Sequence, residues 1–227
     1  MSTTLIEISQ LVIHPGQSIT LQNVSWPQFE DILAELGSHR SSKIAYYKEI
    51  LEIMVPSPEH EYFKTSFGGL IEDLATELGL DYENFGSTTW KNQDVSAGAE
   101  PDECFYIQSF PVIQGRFNID LKQGDPPPDL VLEIDLTSKS LDSLPIYARL
   151  GVPEVWRYDK GEIHIYHLTN DKYIEYEFSL AFPDFPVKFL PDFVKQNLPR
   201  GRRLMRQDFS YWVRNMLCFD DANAAIL

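Results

Sequence analysis

The segment from Asp129 to Leu136 constrains the fold more than any other part of the chain. Alternate side chains of a strand point to opposite faces of a sheet. One face of this segment is wholly apolar and carries Leu130, Leu132, Ile134 and Leu136. The other face carries Asp129, Val131, Glu133 and Asp135. A strand with a wholly apolar face is expected well inside a sheet, where carboxylates are costly to bury without a cation, a shared proton or basic partners.

The segment from Glu100 to Tyr106 shows the same alternation. One face of this second strand carries Glu100, Asp102, Cys104 and Tyr106. If the two strands are neighbours, Asp102 and Glu133 lie within a few ångströms of each other across the sheet. Asp129 precedes Glu133 by four residues. At roughly 3.3 Å per residue these two are about 13 Å apart along the strand, too far to hold one ion.

The pairing of Asp102 with Glu133 predicts a cation site. Two or three oxygen ligands plus waters suit Mg²⁺, which keeps water in its shell and prefers carboxylate and phosphate oxygens. Such an ion activates water and stabilises the leaving oxygen of a phosphodiester. The plainer alternative is that each carboxylate faces solvent, as single acidic residues in strands usually do.

The remaining hydrophobic patterns predict a mixed α/β core in a single domain, residues 1–227. Ser25 and Gln28 form a capping box for a helix that Gly37 ends, and a longer helix is predicted from Ser57 to Leu78. Other helices are predicted at Leu141–Leu150 and Asp208–Leu217. Strands are predicted at Leu11–His14, Lys43–Tyr47, Ile50–Met54, Asn84–Trp90, Asp102–Gln108, Phe117–Leu121, Asp129–Leu136, Glu154–Tyr158, Glu162–Leu168 and Lys172–Glu177.

The charge balance argues against a protein that coats nucleic acid through bulk charge. The chain has 34 acidic and 19 basic residues, for a formal charge of -15, whereas phosphate contacts need clustered Lys and Arg. A nuclease is not excluded, because its metal neutralises its own acidic site. One basic patch, Arg200, Arg202, Arg203 and Arg206, either holds phosphate, neutralises an acidic tail or faces a second subunit. The apolar side chains Phe209, Trp212, Val213 and Met216 offer an interface for a homodimer.

The cysteines and the N-terminus indicate a cytoplasmic protein. Cys104 and Cys218 lie far apart and match no metal spacing, so reduced thiols are expected, with Cys104 a small buried hydrophobic residue. The first ten residues lack a basic region followed by an apolar stretch, so no signal peptide is expected. No run of about 18 apolar residues predicts a membrane span.

Several short segments occur in the order of one known family. They are Leu51–Met54 with Pro56, His60–Glu61, Glu100–Asp102, Pro128–Ile134 and Tyr147–Trp156. Together, over roughly residues 25–180, they resemble the Uma2 family, also called DUF820, of restriction-endonuclease-like proteins. The resemblance implies a PD-(D/E)XK nuclease fold with an αβββαβ core and additional N- and C-terminal elements, here the C-terminal extension at about 181–227. It also implies divalent-metal-dependent hydrolysis of phosphodiesters in DNA, bacterial origin and frequent homodimers.

The resemblance assigns roles to particular residues. Asp102 matches the acidic residue of the PD motif and Glu133 that of the second half-motif, and both are expected to bind Mg²⁺, or Mn²⁺ in its place. Glu61, near the start of the long helix, is the candidate helix carboxylate. His60 beside it is a candidate for contact with water or phosphate.

The half-motif departs from the family pattern at one position. It requires Lys two residues after the acid, and this sequence has Asp135 there. Lysine helps to orient the attacking water and offsets developing negative charge, a role for which Lys139 is the candidate. Two hypotheses follow: a Mg²⁺-dependent DNA endonuclease, or a catalytically inactive nuclease-fold module that binds DNA or a protein partner without cleavage.

Overall fold

The computed structural model describes residues 8–37, 40–136 and 141–224. Within these residues the fold is a mixed α/β structure with two sheets and six α-helices, as predicted. The strands are β1 (Ser18–Gln22), β2 (Lys43–Tyr47), β3 (Ile50–Met54), β4 (Glu83–Asn84), β5 (Trp90–Asn92), β6 (Ala97–Ala99), β7 (Glu103–Tyr106), β8 (Leu130–Asp135), β9 (Glu154–Asp159), β10 (Glu162–Thr169) and β11 (Lys172–Tyr176). The helices are α1 (Trp26–Leu36), α2 (Pro58–Glu77), α3 (Phe110–Ile113), α4 (Leu144–Leu150), α5 (Leu190–Asn197) and α6 (Arg202–Ala224).

The two sheets differ in strand direction. The first has the order β1-β3-β2-β6-β5, and its neighbouring strands are antiparallel. The second has the order β11-β10-β9-β8-β7-β4, in which β8 and β9 are parallel. Parallel neighbours need a crossover connection, and α4 provides it. In chain order, α2, β4, β7, β8, α4 and β9 give the expected αβββαβ core.

One face of the first sheet packs against α1. The capping box predicted at its start is present, with the Ser25 N–H donating to Oε1 of Gln28 at 2.8 Å. The buried ring of Phe29 stacks on that of Tyr46 in β2, with 4.5 Å between ring centroids. The other face of this sheet is therefore the one turned toward α4 and the second sheet.

The central strand β8 is covered on both faces. Its apolar face lies in one core with Phe67 of α2 and Phe209 of α6. Its opposite face lies in a second core, where Val131 and Tyr147 of α4 meet. All six residues of β8 are buried, so the acidic side chains of this strand are buried as well.

Three predicted strands are wrong. The segment Asn84–Trp90 is the irregular connection between β4 and β5, two short strands that belong to different sheets. Leu11–His14 is irregular and precedes a turn at residues 15–16. Phe117–Leu121 is a loop, in which the Asp120 side chain accepts from the Lys122 N–H at 2.9 Å and Arg116 pairs with Asp125 at 2.6 Å. Such local bonds compete with strand pairing for the backbone.

The C-terminal helix begins earlier than predicted and uses its apolar face internally. It begins at Arg202 instead of Asp208, and Phe209 and Val213 are fully buried in the core beneath α2. Phe209 and Val213 therefore pack against the chain itself and are not available to a second copy, whereas Trp212 and Met216 are partly buried.

Glu103 makes stability depend on pH. Burial raises the pKa of this β7 side chain above its ordinary value of 4.5, more than the Asn84 hydrogen bond lowers it. The folded state thus retains a proton that the unfolded chain releases, and stability falls as pH rises through the interval between the two pKa values. Glu103→Gln cannot ionise, so we expect it to match the wild type in melting temperature at about pH 4 and to exceed it at about pH 7. The same difference in melting temperature at both pH values would show that ionisation of Glu103 is not the cause. Glu162→Gln, at the exposed start of β10, is the control and should melt like the wild type at both pH values.

Candidate functional site

The site lies where the chain crosses from one sheet to the other. β6 belongs to the first sheet and β7 to the second, so Glu100–Asp102 connects them directly. In the antiparallel register of β7 and β8, Glu103 is opposite Leu132, which places Asp102 opposite Glu133. The Asp102 N–H donates to the Leu132 carbonyl at 3.1 Å and continues this pairing. The two segments with alternating patterns are therefore neighbours.

Asp102 and Glu133, here called the carboxylate pair, converge on a single ammonium group. Nζ of Lys43 lies 2.5 Å from Oδ1 of Asp102 and 3.8 Å from Oε2 of Glu133. The Asp102 and Glu133 side chains are 0% and 3% exposed. Buried carboxylates are stable as anions only beside a cation or several donors, and this arrangement supplies both.

Neighbouring groups fix the orientation of each carboxylate. The Ile134 N–H donates to Oδ2 of Asp102 at 2.7 Å. The Tyr147 hydroxyl, from α4, donates to Oε1 of Glu133. Burial and the Glu133 carboxylate raise the pKa of Tyr147 well above its usual value, so the hydroxyl keeps its proton. These donors leave Oδ1 of Asp102 and Oε2 of Glu133 directed toward Lys43.

The two candidates on α2 occupy different environments. His60 is buried, with Nε2 3.1 Å from Oδ1 of Asp102, and neither ring nitrogen makes a hydrogen bond of good geometry with a described residue. Glu61 has a side chain that is 46% exposed, and it lies 3.6 Å from Nδ1 of His60 and 3.7 Å from Nζ of Lys64. The structure thus brings His60 to the carboxylate pair and leaves Glu61 at the rim.

The position of the missing half-motif lysine is held by an ion pair. Asp135 accepts from Nε of Arg157 on β9. Burial lowers the pKa of Arg157, but the Asp135 carboxylate more than offsets this, and the net effect is a raised pKa. Lys139, the other candidate for the lysine role, lies outside the described residues.

Asp129 has a structural role, separate from the carboxylate pair. Its Oδ2 accepts from the N–H groups of Ile107 and Ser109 at 2.7 and 2.8 Å, and its Oδ1 accepts from Oγ of Ser109 at 2.8 Å. It therefore fixes the turn that follows β7. This agrees with the expectation that Asp129 and Glu133 do not share an ion.

Sequence reasoning missed two polar residues at the centre of the site. Lys43 begins β2, and a lysine at a strand end is usually solvated, so its sequence context gave little signal. Glu52 in β3 is buried between Leu51 and Ile53, which is a detectable signal in an apolar strand. It accepts from Oγ of Ser18 at 2.8 Å and from the Leu141 N–H at 3.3 Å.

An open cleft lies beside Lys43, the partner of the carboxylate pair, although neither Asp102 nor Glu133 itself lines it. Its volume is 870 Å³, and the charged side chains that line it are Arg40, Lys43, Lys64, Glu61 and Glu100. Arg40 and Glu100 form an ion pair on one wall. A smaller cavity of 40 Å³ lies beside Glu52, Glu133 and Tyr147, and Lys43 lines both spaces. The ammonium thus stands between the cleft and the buried end of the site.

The C-terminal basic patch is largely paired within the chain. Arg206 donates to both carboxylate oxygens of Asp73 in α2, at 2.8 and 2.7 Å. Arg200 pairs with Asp208 in α6. Arg202 and Arg203 donate instead to Thr65 and Gln207. Two of the four arginines thus neutralise acids within the chain, but Asp73 belongs to α2 and not to an acidic tail.

The remaining expectations concern cysteines, metals and membranes. Cys104 is fully buried, and burial raises its pKa to about 12, which agrees with a small hydrophobic residue. Among the described residues, no three His, Cys, Asp or Glu side chains form a group arranged to hold a metal ion. No helix in the described part of the chain combines the length and apolarity that crossing a membrane requires.

A family match assigns this mixed α/β fold to a class of restriction-endonuclease-like proteins. The family model of Uma2, described as "Putative restriction endonuclease", matches residues 26–198, and the chain belongs to the Uma2 family. A similar solved structure is that of a "putative nuclease belonging to DUF820" from Anabaena variabilis, with 15% sequence identity and a TM-score of 0.49. That match covers 71% of this chain and 96% of the other. No curated protein matches the chain.

The contacts of Asp129 predict that its loss affects folding and leaves ion binding intact. Asp129→Ala leaves three donors without an acceptor, so we expect unfolding free energy to fall by at least about 2 kcal/mol in denaturant titrations. Asp184→Ala, at an exposed position, should change it by less than about 0.5 kcal/mol. Weaker Mn²⁺ binding by folded Asp129→Ala would show that Asp129 belongs to the site after all.

Proposed function

We propose that this chain is a divalent-metal-dependent nuclease of the PD-(D/E)XK type that hydrolyses phosphodiester bonds in DNA. The observation that carries the proposal is the position of Asp102 opposite Glu133, with both carboxylates directed at the Lys43 ammonium, whose residue lines an open cleft. Membership of the Uma2 family supports nuclease chemistry. The homodimer and the cytoplasmic location implied by the sequence stay predictions.

The residues of the site fit a Mg²⁺ ion in donor type and number. Mg²⁺ is bound in proteins by one or two carboxylates, while waters and substrate phosphates complete its shell. Asp102 and Glu133 provide two carboxylates, already held by the Ile134 N–H and the Tyr147 hydroxyl. The buried imidazole of His60, without a hydrogen bond of good geometry to a described residue, suits contact with an ion-bound water. Mn²⁺ accepts the same oxygen ligands.

The chemistry supplied by such an ion is activation of a water and stabilisation of the leaving oxygen of the phosphodiester. The contribution of the protein is positioning. Tyr147 holds Glu133, Ile134 holds Asp102, and the apolar core around β8 excludes water behind them. Because these groups are fixed before any substrate arrives, little reorganisation is required at the site.

The basic side chains of the cleft support an anionic polymer as substrate. The chain as a whole carries -15, yet Arg40, Lys43 and Lys64 line this cleft. Each of the three also lies within 4 Å of an acidic side chain, so the cleft offers local contacts to phosphate without an excess of positive charge. We therefore expect DNA phosphates to be attracted only at short range and only at the cleft.

A second candidate function is supported by the ion pair of Asp135. The position that carries lysine in the half-motif is occupied by an acid held by Arg157, which gives the site less positive charge for a developing phosphorane. On this reading the chain is an inactive nuclease-fold module that binds DNA or a protein partner in the cleft without cleavage.

The first proposal predicts coupled loss of ion binding and cleavage. Asp102→Asn and Glu133→Gln keep the size of each side chain but remove its charge. We expect each to abolish Mn²⁺ binding in calorimetry and to slow cleavage of plasmid DNA by at least about 100-fold. Asp159→Asn changes a partly exposed acid at the end of β9 and should leave both measurements unchanged.

The two candidates differ in the behaviour of the wild type. Cleavage in Mg²⁺ or Mn²⁺ that Asp102→Asn abolishes supports the nuclease. DNA binding by the wild type, with intact DNA at saturating concentrations of both ions, supports the non-cleaving module. Cleavage that persists in both site variants would contradict the assignment of the carboxylate pair.

A further inference from the structure

The Lys43 ammonium occupies the place where the carboxylate pair would hold a cation. It is within ion-pair distance of both acids, and its side chain is 11% exposed. Its backbone belongs to β2 in the first sheet, whereas Glu133 belongs to β8 in the second. The contact therefore depends on how the two sheets meet and is fixed by the fold.

Two other basic side chains in the described part of the chain, Arg157 and Arg40, are engaged with different acids. Arg157 pairs with Asp135 and approaches Asp142 at 3.4 Å. Arg40 pairs with Glu100. Among the described Lys and Arg residues, Lys43 alone has its side-chain nitrogen within 4 Å of carboxylate oxygens of both members of the pair.

We propose that Lys43 is a positioning residue that sets the affinity of the site for divalent ions. Its ammonium holds the carboxylate pair together when no ion is bound, and an ion must displace it to reach both carboxylates. The inference rests on the proposed function in one respect, because it takes the carboxylate pair as the place where the ion binds.

Two physical arguments support displacement. Like charges a few ångströms apart in a buried site repel strongly, so an ammonium and a divalent ion do not share the same two carboxylates without loss of affinity. Lys43 also lines the 870 Å³ cleft, which offers the flexible side chain a solvated position. The ammonium can therefore leave the pair without losing contact with water.

The test compares ion binding by full-length variants in calorimetric titrations with Mn²⁺ alone. Lys43→Met removes the competing charge, and we expect it to bind Mn²⁺ at least about tenfold more tightly than the wild type. Lys43→Arg keeps the charge and should stay within about threefold of the wild type. Lys91→Met is the matched control: Lys91 is a strand lysine of the same sheet, and it pairs with Glu30 at 2.5 Å.

Thermal melting distinguishes this role from a merely structural one. Lys43→Met leaves the buried Asp102 carboxylate without its ammonium, so we expect a lower melting temperature in the absence of ions. Mn²⁺ should then raise the melting temperature of this variant more than that of the wild type. A Lys43→Met variant that binds Mn²⁺ no more tightly than the wild type, or that Mn²⁺ does not restabilise, overturns the proposal.

Failure of this proposal is distinguishable from failure of the proposed function. If the wild type cleaves DNA and Lys43→Met shows unchanged affinity for Mn²⁺, the role of Lys43 is wrong and the nuclease stands. If Lys43→Met binds Mn²⁺ more tightly but the wild type leaves DNA intact, the role of Lys43 stands and the nuclease is wrong. Absence of Mn²⁺ binding in both proteins overturns both.

Discussion

The constraint on which this structure depends is the burial of two facing carboxylates at the junction of two sheets. Asp102 and Glu133 are opposite each other on neighbouring strands, and their side chains are almost inaccessible to water. Two unpaired anions at such a distance would repel each other and lose their hydration. The fold compensates with an ammonium from the other sheet, an N–H from the neighbouring strand and a hydroxyl from α4. The relative position of the sheets is therefore part of the chemistry of the site.

The same principle organises the charges around the pair. Glu100, at the crossing between sheets, is paired with Arg40 and accepts from the Ile44 N–H at 3.1 Å. Asp135, two residues after Glu133 on β8, is paired with Arg157. The chain has a formal charge of -15, and these buried acids each contact a basic side chain or a backbone N–H. The consequence for function is that the carboxylate pair is held in position by groups that belong to the fold, independent of any ligand.

The sequence predicted the parts of this arrangement that depend on local periodicity. Alternation predicted that Asp102 and Glu133 lie close together if their strands are neighbours, and the register of β7 and β8 meets that condition. The bounds of β2 and β3 were predicted correctly. It could not predict Lys43, because that contact joins segments 59 residues apart through the packing of two sheets. β6 escaped prediction for a similar reason: Ala97–Ala99 has little strand propensity, and pairing on both sides makes it a strand. The loop at Phe117–Leu121 was mistaken for a strand because side-chain bonds to its own backbone are not visible in a hydrophobic pattern.

The experiment that decides whether Asp102 and Glu133 form one cation site, which Lys43 occupies when no divalent ion is bound, is a crystal structure determined with Mn²⁺ and measured for anomalous scattering. We expect an anomalous peak bound by both carboxylates, with the Lys43 ammonium moved away from the pair toward the cleft. A structure at saturating Mn²⁺ in which the ammonium remains between the two carboxylates, and the ion lies elsewhere or is not found, would contradict it.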